Sequence, residues 1–270
     1  MSNLTFRDGH TIPQLGLGTF RTPDEVVGPI VTEALRLGYR HIDTASAYQN
    51  EVGVGQGLRA SGLSREEVFV TTKLWRTDMD DPAAALETSL EQLGLDWVDL
   101  YLIHWPMPTW GVYPQVWLKL IELRDRGLTR SVGVSNFHTD YIDALAQVSD
   151  EAPVVNQVEL HPTFSNSQVA EHCRRRHIAI ESWAPLGKAQ DLEQPTVQRI
   201  AQRIGASPAQ VVIAWHLAKG YICMPKTVSF DRLKENYEAL EVELTAQDVA
   251  DIDQLDSGQR IGGDPATHGV

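Results

Sequence analysis

Short apolar runs recur along the chain, and each is followed by a longer stretch patterned as an amphipathic helix. The first run, 15–19, is broken by glycine and leads into a helix over 23–37 that Gly38 ends. His41-Ile-Asp43 predicts a second strand, followed by a glycine-rich helix at 51–60. A β-rich run at 68–73 precedes a helix at 82–93, with Asp81 as its N-cap and Pro82 in its first turn. Strands at 98–104, 131–135, 154–158 and 178–183 then alternate with helices at 115–126, 139–147, 168–176, 195–204 and 208–219. A strand at 222–225 and a helix at 231–240 complete the series.

Parallel neighbours need helical crossovers, so repeated strand-then-helix units imply a parallel sheet. Eight units over about 250 residues are the size of a (β/α)8 TIM barrel. The rival, a doubly wound sheet, would carry a Gly-x-Gly-x-x-Gly turn after an early strand. Gly16 and Gly18 begin that spacing, but position 21 is Arg; Gly53, Gly55 and Gly57 are off-register, with Leu58 where a glycine should fall. The barrel is therefore the predicted fold, as one domain over 1–270. The opening residues 4–6 and 11–12, around Asp8-Gly9, predict a β-hairpin capping the barrel's bottom. Each glycine of the 51–60 helix costs about 1 kcal/mol in a helix interior, which implies either close packing or a mobile segment.

Charge narrows the partners. The chain has 23 basic and 36 acidic side chains, a net charge of −13, so it lacks the cationic footprint of a nucleic-acid polymer or anionic-membrane binder. Much of the acidity falls at 237–256, which reads as a solvated helical surface. At 42%, hydrophobic content supports a sizeable core. There is neither a transmembrane-length apolar run nor a signal-peptide pattern, and Cys173 and Cys223 form no framework; the expectation is a soluble, cytoplasmic protein. The Arg174-Arg-Arg176 triplet reads as a solvated helix face, and Trp97, Trp117 and Trp215 as core.

A barrel of this kind places its chemistry at the C-terminal ends of the strands. Asp43, Lys73 and His104 close the second, third and fourth strands, and Tyr48 lies just beyond Asp43. A phenol is a slow proton donor at neutral pH, a neighbouring ammonium makes its proton easier to release, and a carboxylate offsets the burial of that ammonium. An imidazole across the pocket can orient a substrate oxygen. Such a set protonates a carbonyl oxygen as it becomes an alkoxide, and it requires a separate source of electrons. Phe20, Trp75, Trp105 and Trp110, on predicted loops above the barrel, supply apolar walls.

The runs His41-Ile-Asp-Thr-Ala45, Tyr48-Gln-Asn-Glu51, Thr72-Lys-Leu-Trp75, Leu102-Ile-His-Trp-Pro106, Gly133-Val-Ser-Asn-Phe137, Asn156-Gln157, Glu159-Leu-His-Pro162 and Pro225-Lys-Thr-Val228 together resemble the aldo-keto reductases. The short connection at 105–115 and Glu181-Ser-Trp-Ala-Pro-Leu-Gly187 look most like the prokaryotic 2,5-diketo-D-gluconate reductases. The resemblance implies NADPH-dependent reduction of an aldehyde or ketone, such as 2,5-diketo-D-gluconate or another small dicarbonyl. It implies Tyr48 as general acid, Lys73 as the group that lowers its pKa, Asp43 as the partner of Lys73, and His104 as the substrate-orienting residue. Ser135, Asn136 and Gln157 match positions that bind the nicotinamide carboxamide, and Trp183 the aromatic stacked on its ring. Lys226, Thr227, Val228 and Arg232 match the 2′-phosphate grip, and Glu235 and Asn236 the adenine contacts. Ser229 departs from the pattern, since the diketo-gluconate reductases usually carry an arginine there. Lys226 and Arg232 remain, so the expected cofactor is still NADPH/NADP. No metal is expected, and the different-class rival is a cofactor-binding sensor without turnover.

Overall fold

The computed structural model describes residues 3–267. Strands β1 (Asn3–Thr5) and β2 (Thr11–Pro13) pair antiparallel, and the rest of the chain forms an eight-stranded parallel sheet. Its strands are β3 (Leu17–Gly18), β4 (His41–Asp43), β5 (Phe69–Leu74), β6 (Val98–Ile103), β7 (Thr129–Ser135), β8 (Val155–Glu159), β9 (Ala179–Trp183) and β10 (Ile222–Cys223), neighbours in chain order. Backbone bonds close the cylinder between its first and last strands: Cys223 N–H donates to Gln14 O at 2.7 Å, Gly16 N–H to Cys223 O at 3.1 Å and Gly18 N–H to Pro225 O at 3.2 Å. Every barrel strand thus has two neighbours and no open edge.

The intervening helices are α1 (Asp24–Leu37), α2 (Glu51–Ala60), α3 (Pro82–Leu93), α4 (Tyr113–Asp125), α5 (Thr139–Leu145), α6 (Ser167–Arg175), α7 (Pro195–Ile204), α8 (Pro208–Ala218), α9 (Phe230–Glu238) and α10 (Ala246–Asp253). Their starts follow local chemistry: Asp81 accepts from Ala84 N–H, and Ser207 and Thr245 form reciprocal capping boxes ahead of α8 and α10. Gly38 ends α1 in the left-handed conformation, at φ 114°.

One core fills the space between strands and helices, with Trp117 and Trp215 fully buried in it. A second plugs the bottom of the cylinder, where Phe6 and Ile12 of the hairpin meet Phe69, Leu100, Val155 and Ile222. The predicted cap is therefore present, one residue earlier in β1 than the apolar pattern suggested.

One open alternative is decided and two expectations change. The glycines of α2 serve close packing: a Cβ on Gly57 would lie 2.6 Å from Gly28 O of α1, and one on Gly55 would strike the backbone of Leu93. Gly53 N–H donates to Asp24 Oδ1 at 2.7 Å, tying the two helices together. Trp97 is not core; it is partly exposed, between the guanidinium groups of Arg65 and Arg130 at 3.7 and 3.6 Å from its ring centre. The acidic 237–256 stretch is only partly solvated, because α10 docks through its carboxylates. Asp248 is buried against Arg203, Asp251 meets Arg199 at 2.6 Å, and Asp253 meets Lys219 at 2.8 Å.

Candidate active site

Parallel strands deliver their last side chains to one rim, and that topology assembles four reactive groups from distant parts of the chain. Asp43 ends β4, Lys73 is the penultimate residue of β5, and His104 follows β6 directly. Tyr48 comes from a single 3-10 turn, Ser46–Tyr48, which is held to β5 by a 3.0 Å bond from Ser46 Oγ to Lys73 O. The Lys73 ammonium is completely buried, and its three protons have three acceptors: Asp43 Oδ1 at 2.7 Å, Thr44 O at 2.8 Å and Tyr48 Oη at 3.3 Å. His104 faces Tyr48 edge-on with ring centres 5.6 Å apart, and Trp75 flanks it at 5.1 Å. Its carbonyl is fixed by Asn136 Nδ2 at 3.0 Å.

Burial alone would pull the Lys73 ammonium down, but Asp43 and Tyr48 outweigh it and the group ends raised, hence charged. For Tyr48 the lowering by Lys73 is present, as expected, but burial outweighs it. Burial pushes the phenol up to about 12, with Lys73 pulling against it and Asp43 adding to the rise. The proton is thus held firmly until an adjacent oxygen becomes more basic than a phenolate.

The wall beside the tetrad is a closed set of amides and hydroxyls. Ser135 Oγ donates to Gln157 O at 2.9 Å and accepts from Asn136 Nδ2 at 3.0 Å. Asn136, in the left-handed region at φ 64°, uses its oxygen to receive Trp183 Nε1 at 2.9 Å. Gln157 Nε2 donates to Asp43 Oδ2 at 2.9 Å and to Glu181 Oε1 at 2.5 Å. Burial, reinforced by Asp43, pushes the Glu181 carboxyl up to about 8.

Sequence reasoning gave no role to Glu181, Glu159 or Asn50. Glu159, fully buried, accepts from Ile261 N–H at 2.6 Å and from Gly262 N–H at 3.0 Å, and it pairs with Arg260 at 3.3 Å. It thereby anchors the C-terminal segment against Trp183, where only glycine fits at 262. Asn50 donates to the carbonyls of Thr19 and Thr22 and accepts from Thr44, joining the Phe20 loop to the Tyr48 turn. A carboxylate or amide at an inward-facing strand or loop position was the available signal in each case. The last three residues of the C-terminal tail, 268–270, lie outside the described residues.

Lys226 and Arg232 are exposed and take part in no ion pair among the described residues. They flank the N-terminus of α9, where Ser229 Oγ caps Arg232 N–H at 3.4 Å and Thr227 Oγ1 receives Ser229 N–H at 3.1 Å. Two unpaired cations at a helix N-terminus are the donor set a phosphate dianion requires. Val228 is exposed, Glu235 half-buried and Asn236 buried in the same segment. Of the predicted apolar walls, Trp75 and Phe20 contact the tetrad; Phe20 lies 5.1 Å from the Tyr48 ring, ring centre to ring centre. Trp105 is buried beside His104 in the chain. Trp110 is 48% exposed on a 3-10 turn and makes no ring contact with the tetrad. A nicotinamide dinucleotide fits these residues: a flat indole, an amide wall and a cationic helix terminus lie along one rim.

The model of the Aldo/keto reductase family matches residues 14–257. Among curated proteins, the methylglyoxal reductase DkgA of Yersinia pestis is 44% identical over 264 residues, covering 97% of this chain and 95% of that protein. The Escherichia coli K12 protein of the same name is 41% identical over 268 residues, covering 98% of each. Among solved structures, a variant of Gox0644 in complex with NADPH superposes with TM-score 0.95 at 43% identity, covering 98% of both chains. A Bombyx mori aldo-keto reductase in complex with NADP gives TM-score 0.90 at 35% identity, covering 97% of this chain and 95% of that one.

Proposed function

The chain belongs to the aldo/keto reductase family, and we propose that it reduces small dicarbonyl compounds of the methylglyoxal type, with Tyr48 as the proton donor. It is an NADPH-dependent oxidoreductase that converts an aldehyde or ketone to the alcohol. The single observation behind the residue roles is the unbroken row Asp43–Lys73–Tyr48, with the His104 ring facing the phenol. The dicarbonyl preference rests on the DkgA relatives, and 2,5-diketo-D-gluconate is the larger compound of the same class.

When bound, NADPH supplies the two electrons and the hydrogen that reach the carbonyl carbon. The chain's own side chains do the rest. His104 orients the carbonyl oxygen toward Tyr48, and the phenol gives its proton as negative charge develops there. Lys73, already donating to Tyr48 Oη, stabilises the phenolate left behind, and Asp43 holds Lys73 in place. Ser135, Asn136 and Gln157 would hold the cofactor's carboxamide and Trp183 its ring. Lys226, Thr227, Val228 and Arg232 would hold the 2′-phosphate, and Glu235 and Asn236 the adenine. Trp75, Phe20 and the buried Trp105 exclude water around the substrate, which strengthens each of these interactions.

We read the protein as one barrel domain over 1–270, acting as a cytoplasmic monomer. Two buried, unpaired cysteines suit a reducing compartment, and among the described residues no helix is long and apolar enough to cross a membrane. Of the exposed large apolar residues among those described, Phe20, Trp110, Val112, Val228 and Phe230 follow strand ends on the side of the proposed site, while Val26 and Val52 lie on α1 and α2, so most have a use other than subunit contact.

The test is NADPH consumption with methylglyoxal, 2,5-diketo-D-gluconate, aromatic aldehydes and simple ketones. Dicarbonyls should turn over fastest, and Tyr48→Phe should lose about 10²–10⁴-fold in kcat while still binding NADPH. Full turnover by Tyr48→Phe would remove the acid assignment. Binding of NADPH without reduction of any carbonyl would make the protein a cofactor sensor instead.

A further inference from the structure

Glu181 is a buried ionisable group for which the mechanism above has no use. It lies within β9, paired in register with Gln157 of β8 and Ile222 of β10, and has no exposed surface. Its Oε1 receives one hydrogen of the Gln157 amide, whose other hydrogen goes to Asp43 Oδ2. A primary amide has two N–H groups and one oxygen. With both hydrogens committed to acids, Gln157 presents only its oxygen to a ligand, and no described residue donates to that oxygen. An acceptor fixed in this way suits the amino group of a carboxamide.

We propose that Glu181 is a positioning residue for the reduction: it locks Gln157 with its oxygen turned to the cofactor's carboxamide, and as a neutral acid it leaves the Lys73 charge to Asp43 and Tyr48. The inference rests on the carbonyl-reductase reading and assigns that same site a fifth working member.

The titratable and charged groups that face Glu181 are Asp43 of β4, Tyr48 beyond it, Lys73 of β5 and the Cys223 thiol of β10. With Asp43 ionised, Lys73 protonated, and the phenol and thiol neutral, their charges cancel when Glu181 is neutral. Ionised Glu181 leaves a surplus negative charge that opposes formation of the Tyr48 phenolate. Glu181 Oε2 is buried without a hydrogen-bond partner, which a neutral acid tolerates better than a carboxylate does. The carboxyl is pushed up to about 8 in the fold, so its favourable contribution is present at low pH and is lost as pH rises through that value.

The test compares the wild-type protein with Glu181→Gln and Glu181→Leu from about pH 6 to about pH 9.5, a range that brackets the raised carboxyl. Three quantities are read: the infrared C=O stretch of a protonated carboxyl, NADPH affinity by tryptophan fluorescence quenching, and kcat/KM. The wild type should show a carboxyl band that disappears near the pH where kcat/KM falls. Glu181→Gln should lack both that band and that fall. Glu181→Leu should bind NADPH about threefold to tenfold more weakly, the value of one lost hydrogen bond; Glu181→Gln should not. A Glu181→Gln pH profile that superimposes on the wild type, or unchanged NADPH affinity in Glu181→Leu, would overturn the proposal. If the leucine variant does not fold, the infrared band and profile of Glu181→Gln decide alone. A wild type that reduces no carbonyl sinks the reductase reading instead, and the band and the binding titration still report on Glu181.

Discussion

At the N-terminal end of the barrel, Asp99 lies 2.7 Å from Arg65 and 3.8 Å from Arg130, and the same two guanidinium groups enclose the Trp97 ring. At the C-terminal end the proportions invert: two carboxyl groups, Asp43 and Glu181, lie near a single cation, Lys73, which pairs with Asp43. The same strands build both ends. β6 carries Asp99 near its start and delivers His104 beyond its end, while β7 carries Arg130 at one end and Ser135 at the other. In the lower cluster Asp99 and Arg65 are largely buried, but the second cation, Arg130, is 43% exposed, so the surplus positive charge is solvated at little cost. The upper one is sealed, so surplus charge there is expensive and falls on whichever group can give it up as a proton. The lower cluster therefore serves stability, and the upper one stores a proton.

This contrast can be broken experimentally. The largest effect should come from Lys73→Met, which strips the upper cluster of its cation. The expected result is a loss of about 10²–10⁴-fold in kcat, together with a stability loss of about 3–5 kcal/mol from the unpaired Asp43, read by single-turnover kinetics and urea denaturation. Next is Asp99→Ala at the lower end, which should cost about 3 kcal/mol in the same denaturation experiment and leave kcat/KM unchanged. A fall in kcat/KM would show that the two ends communicate. The smallest effect should be that of Lys226→Ala, an exposed cation at the chemical end. It should raise the KM for NADPH about tenfold, with NADH kinetics and the denaturation midpoint unaltered; equal losses with both cofactors would dismiss Lys226 as a phosphate ligand.

The sequence was informative wherever a rule acts over a few residues. The Asp81 cap and Pro82 marked where α3 starts, and the apolar pattern with Gly38 fixed where α1 stops. Strand ends are legible too, so the sequence alone assigns Asp43, Lys73 and His104 to one rim. Tyr48 needed more, because its reach to Lys73 depends on a single turn held by Ser46. Glu181, Glu159 and Trp97 could not be read in this way. Each takes its role from partners supplied by other strands, by the C-terminal segment or by the opposite guanidinium groups.

Local pattern and order along the chain thus determined the (β/α)8 barrel and which side chains stand at its C-terminal rim, since both follow from periodicity and from the direction of parallel strands. Charge and proton state were decided by tertiary structure alone. Whether the Tyr48 phenol holds its proton, whether Glu181 is neutral and whether an acidic helix is solvated or docked all depend on burial and on groups distant in sequence. Desolvation and Coulomb interactions act through space, and the sequence does not record those distances.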